Sequence, residues 1–276
     1  LEQSARRFPD KTSCVFMNSS LTYRELYRLS GILAEQLIKT GLQEGERVAV
    51  ILPNCPQFVL AFYAIARAGG VVVAINPAYK EKELSFQLID SGARYAIVLD
   101  SVYELVRSIR EGTALERIIL TSLLDGTMLV ERPEVMKSDL EISPQDIWLF
   151  TFLVNQGSSA FARNIDPSSP LIFQYSGGTT GIPKAAIGLH RNLAANTLQF
   201  RAWLGGLTDG EEIVLAAIPL FHVYGMVIAM SLGIALGATL VLIPDPRDMV
   251  NILTSIERYK ATLFPGVPSM YQAIIQ

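Results

Sequence analysis

From Thr22 to Thr121 the chain alternates short β-branched runs with segments of helical period, and no other feature restricts its fold as much. "RVAVIL" (47–52), "GVVVAI" (70–75), "RYAIVLD" (94–100) and "ERIILT" (116–121) read as strands. Between them, Pro56–Ala68, Lys80–Asp90 and a short segment from Val102 read as helices. Strands that are apolar on both faces and separated by helices of this length imply parallel β-α-β crossovers. The first helix is announced by "LTYREL" (21–26), a capping box in which Thr22 accepts from the Glu25 amide and the Glu25 carboxylate reaches back. Leu26, Leu29, Leu33 and Leu37 then recur at helical spacing until Gly41 stops the run. A second series starts at "LIFQY" (171–175) and continues through strands near 213, 238 and 261, with helices between them, including Arg191–Trp203. Residues 123–170 are irregular and rich in charge and turn formers, which places a subdomain connection there.

One segment imitates a membrane span. From Ile213 to Ile243 there is no charged residue, and "GIALG" (233–237) has the small-xxx-small spacing of packed membrane helices. Pro219, His222, three glycines and the β-branched "ATLVLIP" divide the run, so it reads instead as strand, loop, buried helix and strand.

Charge and cysteine usage exclude several classes. A net charge of -3 gives no general reason to expect nucleic acid or an anionic membrane, so any phosphate must be held locally. Two cysteines, Cys14 and Cys55, and two histidines make neither a disulfide framework nor a zinc pattern, and both cysteines are expected in the core. The opening "LEQSARRFPD" lacks an initiator methionine and an apolar signal core, so a trimmed, cytoplasmic protein is expected and not a secreted precursor.

The chemistry concentrates in "SGGTTGIPK" (176–184), directly after a predicted strand. Its glycines let several backbone N–H groups face one concavity, hydroxyls from Ser176, Thr179 and Thr180 add donors, and Lys184 adds a point charge, a set suited to phosphate oxygens. It is not a Walker A loop, because Pro183 precedes the lysine and Ala185 follows it, and no G-x-G-x-x-G fingerprint is present. A plain Gly/Thr surface turn is the competing reading.

"YSGGTTGIPKAAIGLHRNL" (175–193) resembles the signature of the acyl-adenylate-forming superfamily, which includes acyl-CoA synthetases, beetle luciferases and the adenylation domains of peptide synthetases. "LTYREL", "ARAGGVVVAINPAY" (66–79), "PLFHVYG" (219–225) and "ATLFPGVPSMYQAI" (261–274) follow in the family's order, so the resemblance covers nearly the whole chain. It implies an α/β fold made of two stacked β-α-β subdomains of the family's large N-terminal domain, truncated. Residues 1–165 would form the first subdomain with its connection, and 166–276 would begin the second. The C-terminal lid domain, the ribose-binding aspartate, the magnesium-binding acid and the catalytic lysine would lie outside the chain.

The same resemblance assigns Ser176, Gly177, Gly178, Thr179, Thr180, Gly181 and Lys184 to the ATP phosphates, with Ser176 near Mg2+. His222 takes a catalytic and substrate-binding role and Tyr224 a substrate-binding one; the residues alone leave His222 equally a core imidazole and Tyr224 a packed aromatic. The implied reaction activates a carboxylic acid as acyl-AMP and passes it to coenzyme A. Peptide-synthetase domains carry an aspartate where His222 stands, so an acid without an α-amine is expected: a fatty acid first, an aryl acid second. A noncatalytic nucleotide-binding module and an interaction fragment with a vestigial loop are the readings from other classes. Expected partners are the acid and coenzyme A, with no nucleic acid and no transmembrane segment, leaving room for peripheral membrane contact. The segment alone is expected to be inactive and to self-associate through apolar surface. Ala185 departs from the family's glycine and adds a methyl group beside the loop.

Overall fold

The computed structural model describes residues 1–125, 140–154, 161, 163–176 and 183–275. Along the chain, α1 (Glu2–Arg7) precedes a hairpin of β1 (Thr12–Phe16) and β2 (Ser19–Thr22), which leads into α2 (Tyr23–Lys39). The β-α-β series follows: β3 (Arg47–Ile51), α3 (Pro56–Ala68), β4 (Val71–Ala74), α4 (Glu81–Ser91), β5 (Tyr95–Leu99), α5 (Asp100–Ser108) and β6 (Arg117–Thr121). After β7 (Ile147–Trp148) and α6 (Leu149–Val154) come β8 (Pro170–Tyr175), β9 (Ala185–Leu189), α7 (His190–Trp203) and β10 (Ile213–Ala216). A π-helical stretch, Gly225–Ser231, runs into α8 (Leu232–Leu236), and β11 (Thr239–Leu242), α9 (Met249–Tyr259) and α10 (Pro268–Ile275) close the chain.

Contacts divide the chain into two units, Leu1–Tyr27 with Pro53–Val59 and Asn192–Gln276, and Arg28–Leu52 with Leu60–Arg191. The second holds a seven-stranded sheet in the order β7-β6-β5-β3-β4-β8-β9. Every neighbouring pair in it is parallel except β8 with β9. The strands of the central β-α-β series are buried on both faces, as a parallel sheet covered by helices requires. Ala49, Ile51, Val73, Val98, Ile118 and Tyr175 share one core with Leu84, Leu88, Tyr103 and Val106 from the helices. The fully buried Asp146 carboxylate fastens the stretch before β7 to this sheet. It pairs with Arg110 and accepts from the Tyr103 hydroxyl at 2.9 Å and the Ile118 amide at 2.8 Å.

The other unit carries a four-stranded sheet, β10-β11-β1-β2, with β10, β11 and β1 mutually parallel in sequence and β2 antiparallel at the edge. The capping box forms as expected: Thr22 N donates to Glu25 Oε2 at 2.7 Å and Glu25 N to Thr22 Oγ1 at 3.2 Å. Just inside α2, the buried Tyr23 hydroxyl donates to Ala238 O at 2.6 Å and ties the helix start to β11. The uncharged run resolves into β10, a turn, the π and α8 helices and β11, and Gly237 ends α8 at φ 69°, a left-handed position that suits glycine. Among the described residues no helix is long and apolar enough to cross a membrane.

Three departures from the sequence reading have local causes. The strand expected near 261 is reduced to a single bridge, Leu263 with Val214, because Pro265 and Gly266 cannot extend a ladder. The hairpin β1–β2 forms from residues whose polar stretch "NSS" hides the alternation. β9 forms from "AAIGL", where Gly188 is required for close pairing: a Cβ there would sit 2.7 Å from the Ile172 side chain. β8 hydrogen-bonds β4 and so extends the sheet of the first series.

Candidate functional site

The predicted phosphate loop leaves the carboxyl end of β8, at the edge of the sheet where parallel strands terminate and where ligands bind in open α/β folds. Of its residues, Ser176 and Lys184 are described and both are exposed; Gly177, Gly178, Thr179, Thr180 and Gly181 lie outside the described residues. The stem is closed by Ser176 N donating to Lys184 O at 3.1 Å, one step beyond the β8–β9 ladder. That bond occupies the Ser176 amide, so the hydroxyl is the donor that Ser176 can offer a ligand. One residue earlier, the Tyr175 hydroxyl donates to Asp90 Oδ2 at 2.6 Å, and its ring meets Phe86 edge-on at 6.3 Å. Burial, and then the bond to Asp90, push the Tyr175 phenol up, which keeps it a protonated donor. The loop is thereby anchored at the foot of both arms.

In the other unit a turn leaves the carboxyl end of β10 and carries His222 and Tyr224, both exposed. His222 N donates to Pro219 O at 3.2 Å, Tyr224 N donates to His222 Nδ1 at 3.3 Å, and Met226 N donates to His222 O at 3.0 Å. An imidazole whose Nδ1 accepts carries a proton on Nε2, so in this arrangement the ring presents an N–H donor. Tyr224 Oη reaches Gly266 O at 3.4 Å, and Tyr271 from α10 donates to Phe264 O at 2.8 Å, so the two phenols frame the "FPG" segment.

The family profile described as AMP-binding enzyme matches residues 1–276. The chain belongs to the AMP-binding enzymes. A long-chain-fatty-acid–CoA ligase of Bacillus subtilis is 37% identical over 286 residues, covering all of this chain and 50% of the relative. One from Escherichia coli is 33% identical over 288 residues, covering 99% of the chain and 51% of the relative. A crystal structure of a long-chain-fatty-acid-CoA ligase from Archaeoglobus fulgidus superposes with a TM-score of 0.84 at 26% identity, over 99% of this chain and 52% of that one. This AMP-binding chain therefore spans about half the length of the relatives it matches.

Reading the sequence missed Asn54 and Gly225, which shape the His222 turn. Asn54 is 2% exposed and bonds three backbone groups between Ala216 and Leu220. Gly225 leaves no room for a side chain, because a Cβ would stand 2.3 Å from Pro219 O. "NCP" carries no signal for the first; "HVYG" contains the second but not its reason. The π-helical stretch that Gly225 opens was also unannounced. His190 stands at the start of α7, where burial lowers its pKa and its Nε2 has no partner, in line with a structural role. Cys14 and Cys55 are buried free thiols, and burial pushes both up to about 12, which makes them inert packing residues. Among the described residues no group of three or more His, Cys, Asp or Glu could hold a metal ion. Ser176 offers a single hard oxygen, a donor set that fits Mg2+ only where phosphates and waters supply the other ligands.

Proposed function

We propose that residues 1–276 are the N-terminal part of an ATP-dependent acyl-CoA synthetase that makes an acyl-AMP from a long-chain fatty acid and then an acyl-CoA. The observation that carries the reading is the stem of the β8–β9 hairpin, where the ammonium of Lys184 and the hydroxyl of Ser176 stand exposed across one hydrogen bond at the carboxyl edge of a parallel sheet. The family match and the names of the relatives support it.

In the first step a carboxylate oxygen bonds to the α-phosphorus of ATP as the bond to pyrophosphate breaks. In the second, the sulfur of coenzyme A bonds to the acyl carbon, AMP leaves with the C–O electrons, and the thiol proton passes to solvent or a base. Lys184 opposes the charge that builds on the departing phosphates, with the N–H groups and hydroxyls from Gly177 to Gly181 as the remaining donors. Mg2+, when bound, supplies charge neutralisation at the phosphate oxygens, and Ser176 is the residue that would touch it. His222 donates from Nε2 to the carboxylate of the acid and so orients the nucleophile. Tyr224 lines the same acid. The location is the cytoplasm, where ATP and coenzyme A are plentiful.

Acid-dependent exchange of labelled pyrophosphate into ATP tests the proposal on the whole protein that carries these residues. Exchange with palmitate or oleate is expected, and exchange with a benzoate or cinnamate alone would move the substrate to an aryl acid. Residues 1–276 on their own are expected to exchange about 10³-fold more slowly or worse, since each oriented charge lost from such a site costs about that much. Saturable Mg-ATP binding with no exchange by the whole protein would reduce it to a nucleotide-binding module.

A further inference from the structure

We infer that Asn54 is a positioning residue for the His222 imidazole, a role that rests on reading the His222 turn as part of the acid-binding machinery. Both N–H groups and the carbonyl oxygen of its side chain are engaged. Nδ2 donates to Ala216 O and to Ile218 O, both at 2.8 Å, and Oδ1 accepts from Leu220 N at 2.7 Å. The three groups lie at alternate residues, so one carboxamide spans 216, 218 and 220 across the bend that follows β10. Ala216 O is also the last acceptor of the β10–β11 ladder, taking the Ile243 N–H at 3.1 Å; beyond it Pro219 has no N–H, and Asn54 bonds Ile218 O and Leu220 N.

The same segment is also packed by Gly225, whose missing Cβ lets the π-helix lie against Pro219 O. Pro219 O also accepts from His222 N, so the imidazole hangs from a carbonyl whose two flanking peptides Asn54 holds. The Tyr224 amide then selects the Nε2–H tautomer. A displaced 216–220 segment moves Pro219 O, swings His222 off the Tyr224 amide and releases the tautomer. Only a carboxamide of this length supplies two donors and one acceptor here. Aspartate keeps the shape and the acceptor but sets a carboxylate oxygen against two carbonyls.

The chain has two histidines, so nitrogen NMR of the imidazoles separates His222 from His190 once His190→Gln has assigned the signals. In the unmodified protein His222 is expected as the Nε2–H tautomer. In Asn54→Asp its shifts should move to the averaged tautomer mixture of a free imidazole while His190 stays fixed. A folded Asn54→Asp, or a folded Asn54→Ser should the aspartate not fold, that leaves the His222 tautomer unchanged overturns the inference. Fast hydrogen exchange at the Leu220 amide in the unmodified protein overturns it without any variant. In the whole protein, Asn54→Asp should raise KM for the acid roughly tenfold, as loss of one hydrogen bond to a charged group would, with KM for ATP unchanged. A fall in kcat alone, with both KM values kept, would mark Asn54 as merely structural. Absence of pyrophosphate exchange in the unmodified protein sinks the proposed function and leaves the NMR result to decide this one.

Discussion

The loop after β8 and the turn after β10 leave the carboxyl ends of parallel strands, yet they are held in opposite ways. The β8 loop is fastened at its stem, by Tyr175 on Asp90 and Ser176 on Lys184, through groups near it in the hairpin or on the adjoining α4. The β10 turn is fixed along its length by a buried side chain more than 160 residues away in sequence and by a glycine that admits no substituent. The difference follows from what each must present. In the proposed reading the β8 loop would present many backbone N–H groups to phosphates, a task that a fastened stem serves. An oriented imidazole needs a single geometry, and satisfying every nearby backbone group provides it.

The comparison can be broken at either end, and the largest effect should come from the charge. Lys184→Ala removes an exposed ammonium, so pyrophosphate exchange by the whole protein should fall about 10²–10³-fold while stability stays within about 0.5 kcal/mol. A large drop in the unfolding midpoint would mean that Lys184 is a structural part of the stem. Next, Gly225→Ala should destabilise the protein by about 1–3 kcal/mol through overpacking, because the atom it meets is a backbone carbonyl that cannot step aside. Denaturant titration showing no change would mean that the turn is looser than its contacts imply. Tyr175→Phe should cost about 1 kcal/mol, since its partner Asp90 is exposed and screened. It should also raise hydrogen exchange at the Ser176 amide; unaltered exchange would show that the stem does not need this anchor.

The smallest effect is a pH dependence. Burial lowers the pKa of His190, so as pH falls below about 6.5 the unfolded chain takes up a proton before the folded one does. The folded state loses stability through that window, down to the lowered pKa, and gains nothing above it. His190→Gln should flatten this part of the stability profile; an identical slope in both proteins would show that the buried ring is not its source.

Most helices and the central strands were legible because their signals are periodic and local. Thr22 and Glu25 sit three residues apart and form the capping box regardless of what surrounds them. β9 was not legible, since its residues are small and half exposed, with Ile187 57% exposed, and it is a strand only because β8 lies beside it. Asn54 was illegible for a stronger reason, since an asparagine before Cys-Pro looks like any turn residue until its partners arrive from the end of β10. The chemistry proposed for the loop rests on residue types alone, and the occupation of the Ser176 amide by Lys184 O was not legible in them.

By itself the chain's order of residues determined the α/β class, the capped start of α2, the division of the uncharged run and the presence of a glycine-rich, lysine-ended loop. These depend on backbone preferences and on burial repeated every two or every 3.6 residues, which act over short stretches. The tertiary structure decided that β8 joins the sheet of the first series, that β1 lies parallel to β11, and that Asn54 bonds the peptides just before His222. Those outcomes are choices among partners distant in sequence, settled by which buried N–H and C=O groups can be paired together, and no local pattern encodes them.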